Sequence, residues 1–183
     1  MAACGKVFPS AVKSGRRIPV EHKGFMKVIP FKGVNTLLMS RPRHWNVISV
    51  CREDTLPMTR FCLRHIHVNC DDVDDTGLRE LSARAHVAGK IVVPPNDGHI
   101  VQALRFARRW GTDDLLLHCL KGLSRSTAIA WCILFDQLKQ EDQAWAELYR
   151  IRPPALPNPR IIRIGRQIIP QLPASFFENS EPP

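Results

Sequence analysis

The chain has 183 residues, of which 44% are hydrophobic and 23% charged, and these proportions are typical of a globular domain with a substantial core. No apolar run is long enough to span a bilayer, and the first residues lack the apolar stretch of a signal peptide. The sequence therefore offers no candidate membrane span and no internal repeat, and its length predicts one domain.

The charge and the cysteines narrow the expected environment. A formal net charge of +9 favours anionic partners, whether phosphoprotein, nucleic acid or inositol phosphate. Six cysteines without regular spacing predict thiols in a reducing cytoplasm rather than a disulfide framework. His65 and His67 lie two apart on one face of a predicted strand, but no further ligand accompanies them. We therefore expect a cytoplasmic protein without a metal or other cofactor.

Along the chain, residues 1–24 form a basic arm with little pattern, residues 25–172 the folded domain, and residues 173–183 a tail expected to fray. Strands alternate with helices in the domain, which predicts an α/β fold with a parallel-rich central sheet flanked by helices. The predicted strands are Lys27–Ile29 (at a sheet edge), Asn46–Val50, Arg64–Val68 and Leu115–His118. The predicted helices are Val34–Met39, Leu78–Ala88, Gly98–Trp110, Ser124–Gln140, Glu141–Ile151 and Asn158–Ile169.

The most informative stretch surrounds the fourth predicted strand. This strand leads into Cys119, a short loop with Gly122 follows, and Arg125 precedes an unbroken helical pattern. A junction of strand, loop and helix binds anions, because the N–H groups of the loop and of the first helical turn lack partners and point inward. A cysteine at the base of such a loop has a lowered pKa and lies where a phosphate would bind. The stretch therefore predicts nucleophilic attack on phosphorus.

Cys119 is the cysteine that its surroundings single out. An arginine six residues after a cysteine is a weak signal alone, because this chain is rich in both residue types. The other five cysteines lack an arginine at that spacing: Cys4, Cys51, Cys62, Cys70 and Cys132. The alternative, a thiol buried at the end of a core strand, leaves unexplained the glycine, the hydroxyl and the helix start that follow Cys119.

The segment His118–Ser126 resembles the signature of cysteine-dependent protein tyrosine phosphatases, His-Cys-x5-Arg-Ser/Thr. It is most similar to the small dual-specificity-like members found in bacteria and phages. The resemblance extends from about Trp45 to about Ile169 and is sharp only around Cys119. It implies a protein-tyrosine-phosphatase-like fold and a catalytic domain over residues 25–172.

The resemblance also implies a role for each polar residue of the segment. Cys119 would be the nucleophile, Arg125 would clamp the phosphoryl oxygens, and Ser126 would stabilise the departing thiolate. The planar guanidinium independently suits the clamp, because its two parallel donors match two oxygens and a lysine offers no such pair. His118 would support the loop and tune the cysteine, although a strand-end histidine can simply satisfy a buried carbonyl. The implied phosphate-binding loop comprises Leu120, Lys121, Gly122, Leu123, Ser124 and Arg125.

Such an enzyme needs a general acid for the leaving group. Asp71 and Asp72 follow the third predicted strand, at the sheet end where sites form in open α/β folds. The resembling family has an aspartate followed by an aliphatic residue here, which matches Asp72-Val73, so Asp72 is the first candidate and Asp71 the second. Asp97 is a third candidate, although its position predicts an N-cap of the following helix. The Trp-Pro-Asp loop usual in the family is absent, so the assignment rests on position.

The sequence thus predicts a phosphatase that hydrolyses phosphomonoesters through a cysteinyl-phosphate intermediate, on phosphotyrosine, phosphoserine or phosphothreonine in proteins. Lys121 leaves open the same chemistry on an inositol phosphate or an RNA 5′ phosphate, unless its side chain only points into solvent. A pseudophosphatase that binds phosphate without turnover is a further alternative, and the intact Cys119, Arg125 and Ser126 argue against it. Sulfur transfer on a rhodanese-like loop is disfavoured, because the arginine spacing and the following hydroxyl suit phosphate better. The expected partner is a phosphorylated protein or another anionic phosphoester, and nucleic-acid binding stays open.

Overall fold

The computed structural model describes residues 24–52, 55–78, 80, 83, 91–110 and 113–173. Within them the central sheet has four strands, all parallel, in the order β1-β4-β2-β3. The strands are β1 (Met26–Pro30), β2 (Asn46–Val50), β3 (Arg64–Val68) and β4 (Leu115–Cys119). The helices are α1 (Phe31–Ser40), α2 (Asp97–Trp110), α3 (Arg125–Leu138), α4 (Glu141–Ile151) and α5 (Pro159–Ile168). Short 3-10 turns occupy Thr59–Phe61 and Ile169–Gln171.

The burial of each strand follows from its position in the sheet. The central strands β2 and β4 are buried along their whole length, as their nearly continuous apolar sequences indicate. The edge strands β1 and β3 are only partly buried. The larger core packs α2, α3, α4 and α5 against the sheet, and a smaller cluster packs α1 against it through Val34 and Leu38.

The predicted α/β fold with a parallel sheet is confirmed, and β1 lies at a sheet edge as expected. The boundaries differ where local geometry decides them. Helix α1 begins at Phe31, three residues before the prediction, directly after β1. Helix α3 ends at Leu138 because Lys139 adopts a left-handed conformation with φ of 55°. The predicted helix over residues 78–88 lies largely outside the described residues, as do nearly all of the predicted arm and tail.

The parallel sheet determines where functional residues can meet. All four strands point the same way, so their carboxyl ends lie along one edge of the sheet. Cys119 ends β4, and the acidic segment that contains Asp72 follows the end of β3. The central β2 separates these two strands in the sheet, and Ser49 of β2 pairs directly with His118 of β4.

Candidate active site

The loop between β4 and α3 turns its carbonyl groups away from its own centre. The Leu120 carbonyl accepts from the Phe31 N–H at 3.2 Å, and the Gly122 carbonyl accepts from Arg152 Nε at 3.0 Å. The Leu123 carbonyl accepts from the Leu156 N–H at 2.8 Å. Because the carbonyls find partners outside, the N–H groups of the loop are left facing inward, which is the arrangement that binds an anion.

Gly122 allows the loop to make its tight turn. Its φ of 64° lies in the left-handed region, which side chains other than glycine rarely adopt. A Cβ at this position would also meet the backbone at the end of β1, 2.5 Å from the Ile29 carbonyl carbon and 2.6 Å from the Pro30 nitrogen. Both the turn and the close approach of β1 therefore require glycine here.

Cys119 lies at the base of this loop, and the residue is 2% exposed, so its thiol is buried. Burial by itself raises the pKa of this thiol, but the Ser126 hydroxyl and N–H, the Arg125 charge and the Leu123 N–H act against it, and the net pKa is lowered. The Ser126 hydroxyl lies 3.2 Å from the sulfur. Burial without such donors raises the pKa of Cys70 to about 12. Of these two thiols, Cys119 and Cys70, only Cys119 has surroundings that favour a thiolate.

The guanidinium of Arg125 is held beside the thiol by the chain that follows β3. Its Nη1 donates to the Cys70 carbonyl at 2.8 Å. Its Nε is buried, makes no hydrogen bond within the described residues, and lies 3.8 Å from Asp72 Oδ2. The anchored Nη1 leaves the edge formed by Nε and Nη2 as the pair of parallel donors that could bind two oxygens of one phosphoryl group.

The three candidate acids lie in different environments. Asp72 is at the loop: its Oδ1 accepts from the Ser124 hydroxyl at 2.6 Å. Asp71 instead accepts from the Val93 N–H at 2.8 Å and so holds the chain before α2. Asp97 is the first residue of α2. The expectation that Asp97 caps α2 is wrong, because the Asn96 side chain accepts the His99 N–H at 3.2 Å.

His118 is fully buried between neighbouring strands. Its Nε2 lies 2.6 Å from the hydroxyl of Ser49 in β2, and that hydroxyl lies 2.8 Å from Nε2 of His65 in β3. The Phe31 ring packs on the imidazole, with centroids 5.7 Å apart. Burial lowers the pKa of His118 to about 4, with a further contribution from His65 and His67. The ring is therefore neutral at physiological pH.

The remaining loop side chains face solvent or the surroundings of the site. Leu120 is 53% exposed and Lys121 is exposed as well, while Leu123 and Ser124 are half-buried. A pocket of about 360 Å³ opens next to the loop, and its lining includes Ser124, Asp72 and Asn158.

Several supporting contacts at the site were not predicted from the sequence. Asn158 donates to Asp72 at 3.0 Å, and Arg152 reaches the loop at Gly122. Ser49 and His65 extend from His118 across the sheet. Each is separated from its partner by 16 to 86 positions in the chain, so no local pattern identifies the contact. The sequence predicted that a helix starts at Asn158, but it did not show that the same side chain also contacts Asp72.

Within the described residues no group of three His, Cys, Asp or Glu side chains could hold a metal ion. Nor is any helix in these ranges both long enough and apolar enough to cross a bilayer.

This parallel sheet, with a tight loop between β4 and α3, defines a protein-tyrosine-phosphatase-like fold, and solved structures show the same fold. No protein-family model and no curated protein sequence matches the chain. Tk-PTP in its active form superposes with a TM-score of 0.57 and 15% identity, over 81% of this chain and 94% of that chain. Human DUSP28 gives a TM-score of 0.54 and 19% identity, over 85% and 97% of the two chains. PTPMT1 in complex with PI(5)P superposes with a TM-score of 0.56 and 14% identity, over 83% of this chain and 93% of that chain.

These structures establish the fold of protein tyrosine and dual-specificity phosphatases for this chain, and the predicted fold is confirmed. The expected kinship with bacterial and phage members stays a prediction.

Proposed function

We propose that the protein is a cysteine-dependent phosphatase that hydrolyses phosphomonoesters through a cysteinyl-phosphate intermediate. The observation that carries the proposal is the buried thiol of Cys119, whose pKa is lowered by the donors around it. A thiolate is the form that attacks phosphorus, and the inward N–H groups of the loop would bind the phosphoryl oxygens around it.

In the first step the Cys119 sulfur forms a bond to phosphorus while the bond from phosphorus to the ester oxygen breaks. Asp72 in its protonated form gives its proton to that leaving oxygen. The Nε–Nη2 edge of Arg125 binds two equatorial oxygens, which carry the charge of the transition state. The contact of 3.8 Å between Arg125 and Asp72 supports the assignment, because it places the acid next to the clamp.

In the second step water attacks the phosphorus of the cysteinyl phosphate. The Asp72 carboxylate takes a proton from that water, the phosphorus–sulfur bond breaks, and inorganic phosphate leaves. The Ser126 hydroxyl, 3.2 Å from the sulfur, stabilises the thiolate as it departs. The enzyme then returns to its starting protonation state, apart from the exchange of protons with solvent.

The substrates we propose are proteins phosphorylated on tyrosine, serine or threonine, and we place the enzyme in a reducing cytoplasm, where its thiolate survives. The fold shared with human DUSP28 supports this class. A second class, inositol phosphates or RNA 5′ phosphates, is favoured by the exposed Lys121 within the loop, a second cation beside the bound phosphate. A similar fold is known in complex with PI(5)P, in PTPMT1.

A panel of phosphopeptides, phosphoinositides, inositol phosphates and 5′-triphosphorylated RNA, assayed under one set of conditions, separates these classes. Cys119→Ser should abolish turnover and retain vanadate binding, because the hydroxyl is a far weaker nucleophile and the loop persists. Cys62→Ser is the matched control, since this thiol lies in the smaller core cluster. Hydrolysis by pure Cys119→Ser would overturn the covalent mechanism. Vanadate binding without turnover of any substrate by the wild-type protein would identify a pseudophosphatase.

A further inference from the structure

A continuous line of polar side chains crosses the sheet behind the nucleophile. It runs from His65 in β3 through Ser49 in β2 to His118 in β4, the residue before Cys119. The two hydrogen-bond distances are 2.8 Å and 2.6 Å, and both use the Nε2 atoms of the rings. Ser49 and His118 are fully buried. Burying polar side chains in a central sheet costs free energy unless they are hydrogen-bonded, and the two hydrogen bonds of this line meet that requirement.

The hydroxyl of Ser49 restricts where the protons of the two rings lie. It carries one proton, so it donates to one imidazole and accepts from the other. Burial lowers the pKa of His65 to about 4, as it does for His118, so both rings are neutral near pH 7. One ring therefore carries its proton on Nε2 and the other on Nδ1. The tautomer of His118 is determined by the state of His65.

The surroundings of His118 favour one of the two arrangements. The backbone of Cys119 acts on His118 in the direction that favours a proton on the ring. Because Nε2 faces Ser49, that proton belongs on Nδ1. Nδ1 makes no hydrogen bond of ordinary geometry within the described residues, so its interaction with the Cys119 backbone is weaker than a full hydrogen bond. The orientation of the ring is therefore held mainly from the Ser49 side.

We propose that Ser49 and His65 are positioning residues for the nucleophile. His65 donates from Nε2 to Ser49, Ser49 donates to Nε2 of His118, and His118 is thereby held with its Nδ1 proton toward the backbone of Cys119. The loop that starts at Cys119 therefore begins from a fixed strand end. The dipole of the His118 Nδ1–H bond lies near the sulfur and favours the thiolate. The catalytic importance of this role rests on the proposed function. The effect of Ser49 and His65 on the Cys119 thiol can be measured without it.

The other titratable group on this face of β3 lies outside the line. His67 uses its Nε2 to reach the Cys51 carbonyl at 2.7 Å. A carbonyl only accepts, so His67 donates there and takes no part in the line of hydrogen bonds to His118. His67 therefore offers a matched control, a partly buried histidine on the same strand, two residues away.

The test is the thiol pKa of Cys119, measured from the pH dependence of its alkylation by iodoacetamide, with the Cys119 peptide quantified by mass spectrometry. Ser49→Ala and His65→Phe should each raise this pKa by about one unit, which slows alkylation about tenfold at pH values below the pKa. Ser49→Thr and His65→Gln keep a hydroxyl and an N–H donor, so they should restore most of the wild-type rate. The measurement needs no turnover, so it holds even if the protein proves to be no phosphatase.

Thermal melting of each variant separates unfolding from a change at the thiol. An unchanged thiol pKa in folded Ser49→Ala and His65→Phe would overturn the proposal. A shift in His67→Phe as large as in His65→Phe would also overturn it, because the effect would then belong to the strand in general. A shift in Ser49→Ala alone would remove His65 from the proposed role.

Discussion

The side-chain amide of Asn158 donates to the carboxylate of Asp72 at 3.0 Å and to the Val73 carbonyl at 3.2 Å. Its oxygen accepts from the N–H groups of Arg160 and Ile161 and so caps the start of α5. One buried amide therefore begins a helix and also holds the acidic segment against the loop between β4 and α3.

Asn158→Ser should separate these two functions. Serine caps a helix about as well as asparagine, so the variant should retain most of its stability, whereas its shorter side chain does not reach Asp72. We expect kcat on a phosphotyrosyl peptide to fall about tenfold, because the acid is no longer held in place. Asn158→Ala should lose the cap as well, at a cost of about 1 kcal/mol in the free energy of unfolding. Equal activity of Asn158→Ser and wild type, measured by initial rates, would show that the contact does not position the acid.

The role of Asp72 itself is best tested through the leaving group. Asp72→Asn should slow hydrolysis of alkyl and tyrosyl phosphates about 10²-fold or more, because their oxygens leave poorly without a proton. An activated aryl phosphate needs little assistance and should lose much less. The alkaline limb of the pH–rate profile should flatten in the same variant.

Asp97→Asn is the matched control for Asp72→Asn, because Asp97 lies in the first turn of α2 and makes no contact with the loop that the structure records. Its pH–rate profile should equal that of wild type. A sensitive Asp97 and a silent Asp72 would move the acid to the start of α2 and leave Cys119 as the nucleophile.

The sequence predicts local features well, and contacts between residues far apart in the chain poorly. Strands β2 and β3 were predicted to the residue, because alternating or continuous apolar runs are bounded by polar turns. The loop from Cys119 to Arg125 was also predictable, since its strand, glycine, arginine and helix are contiguous. Helix α1 was predicted too short, because Phe31, Lys32 and Gly33 lack a clear apolar period and the first N–H group finds its acceptor in Leu120.

What the sequence did not predict depends on side chains that meet only after folding. Asn158 and Asp72 are 86 positions apart, and Ser49 and His118 are 69 apart. The expectation that Asp97 caps α2 was wrong because two adjacent residues were both chemically suitable. Asn96 takes the role through the backbone geometry at the helix start, which a sequence pattern does not resolve.

Two glycines provide a contrast between a required and a replaceable position. Gly122→Ala forces a Cβ within 2.5 Å of the Ile29 carbonyl carbon and strains a φ of 64°, so the loop must shift. We expect vanadate binding to be lost and the free energy of unfolding to fall by more than about 1 kcal/mol. Gly33→Ala meets only the Ile29 side chain at 3.9 Å inside α1 and should stabilise by about 0.5–1 kcal/mol. Denaturant titration gives both values, and normal vanadate affinity in Gly122→Ala would contradict this account of the loop.

The thiols should differ in their reaction with peroxide. A thiolate is the reactive form, so Cys119, whose pKa is lowered, should be oxidised before Cys70 and Cys62, whose pKa values burial raises to about 12 and about 11. Bound vanadate should protect Cys119, and dithiothreitol should reverse early oxidation. Peptide mass spectrometry after brief exposure measures the order. Oxidation of Cys70 or Cys51 with Cys119 intact would contradict the thiolate.

The buried histidines should make the protein sensitive to mild acid. In the folded state the pKa values of His65 and His118 lie at about 4, whereas an unperturbed histidine titrates near 6.5. Between these values the unfolded chain binds protons that the folded chain does not, so the free energy of unfolding falls as pH drops from 6.5 to 4 and this contribution levels off below 4. Each such proton adds about 1.4 kcal/mol per pH unit to the slope within the window.

His65→Gln removes one of these protons and should therefore reduce the pH dependence of stability between pH 6.5 and pH 4. Urea titrations at several pH values measure the slope, and a constant m-value checks that the same two-state transition is followed. The carboxylates paired with arginines, such as Asp136 with Arg108, have lowered pKa values and lose their contribution at lower pH, so they affect wild type and variant equally. Equal slopes in wild type and His65→Gln would show that His65 is already protonated in the folded protein. A charged His65 would still donate from Nε2 to Ser49, so the proposed direction of the hydrogen bonds from His65 to His118 would stand, and only the neutral state of His65 would be wrong.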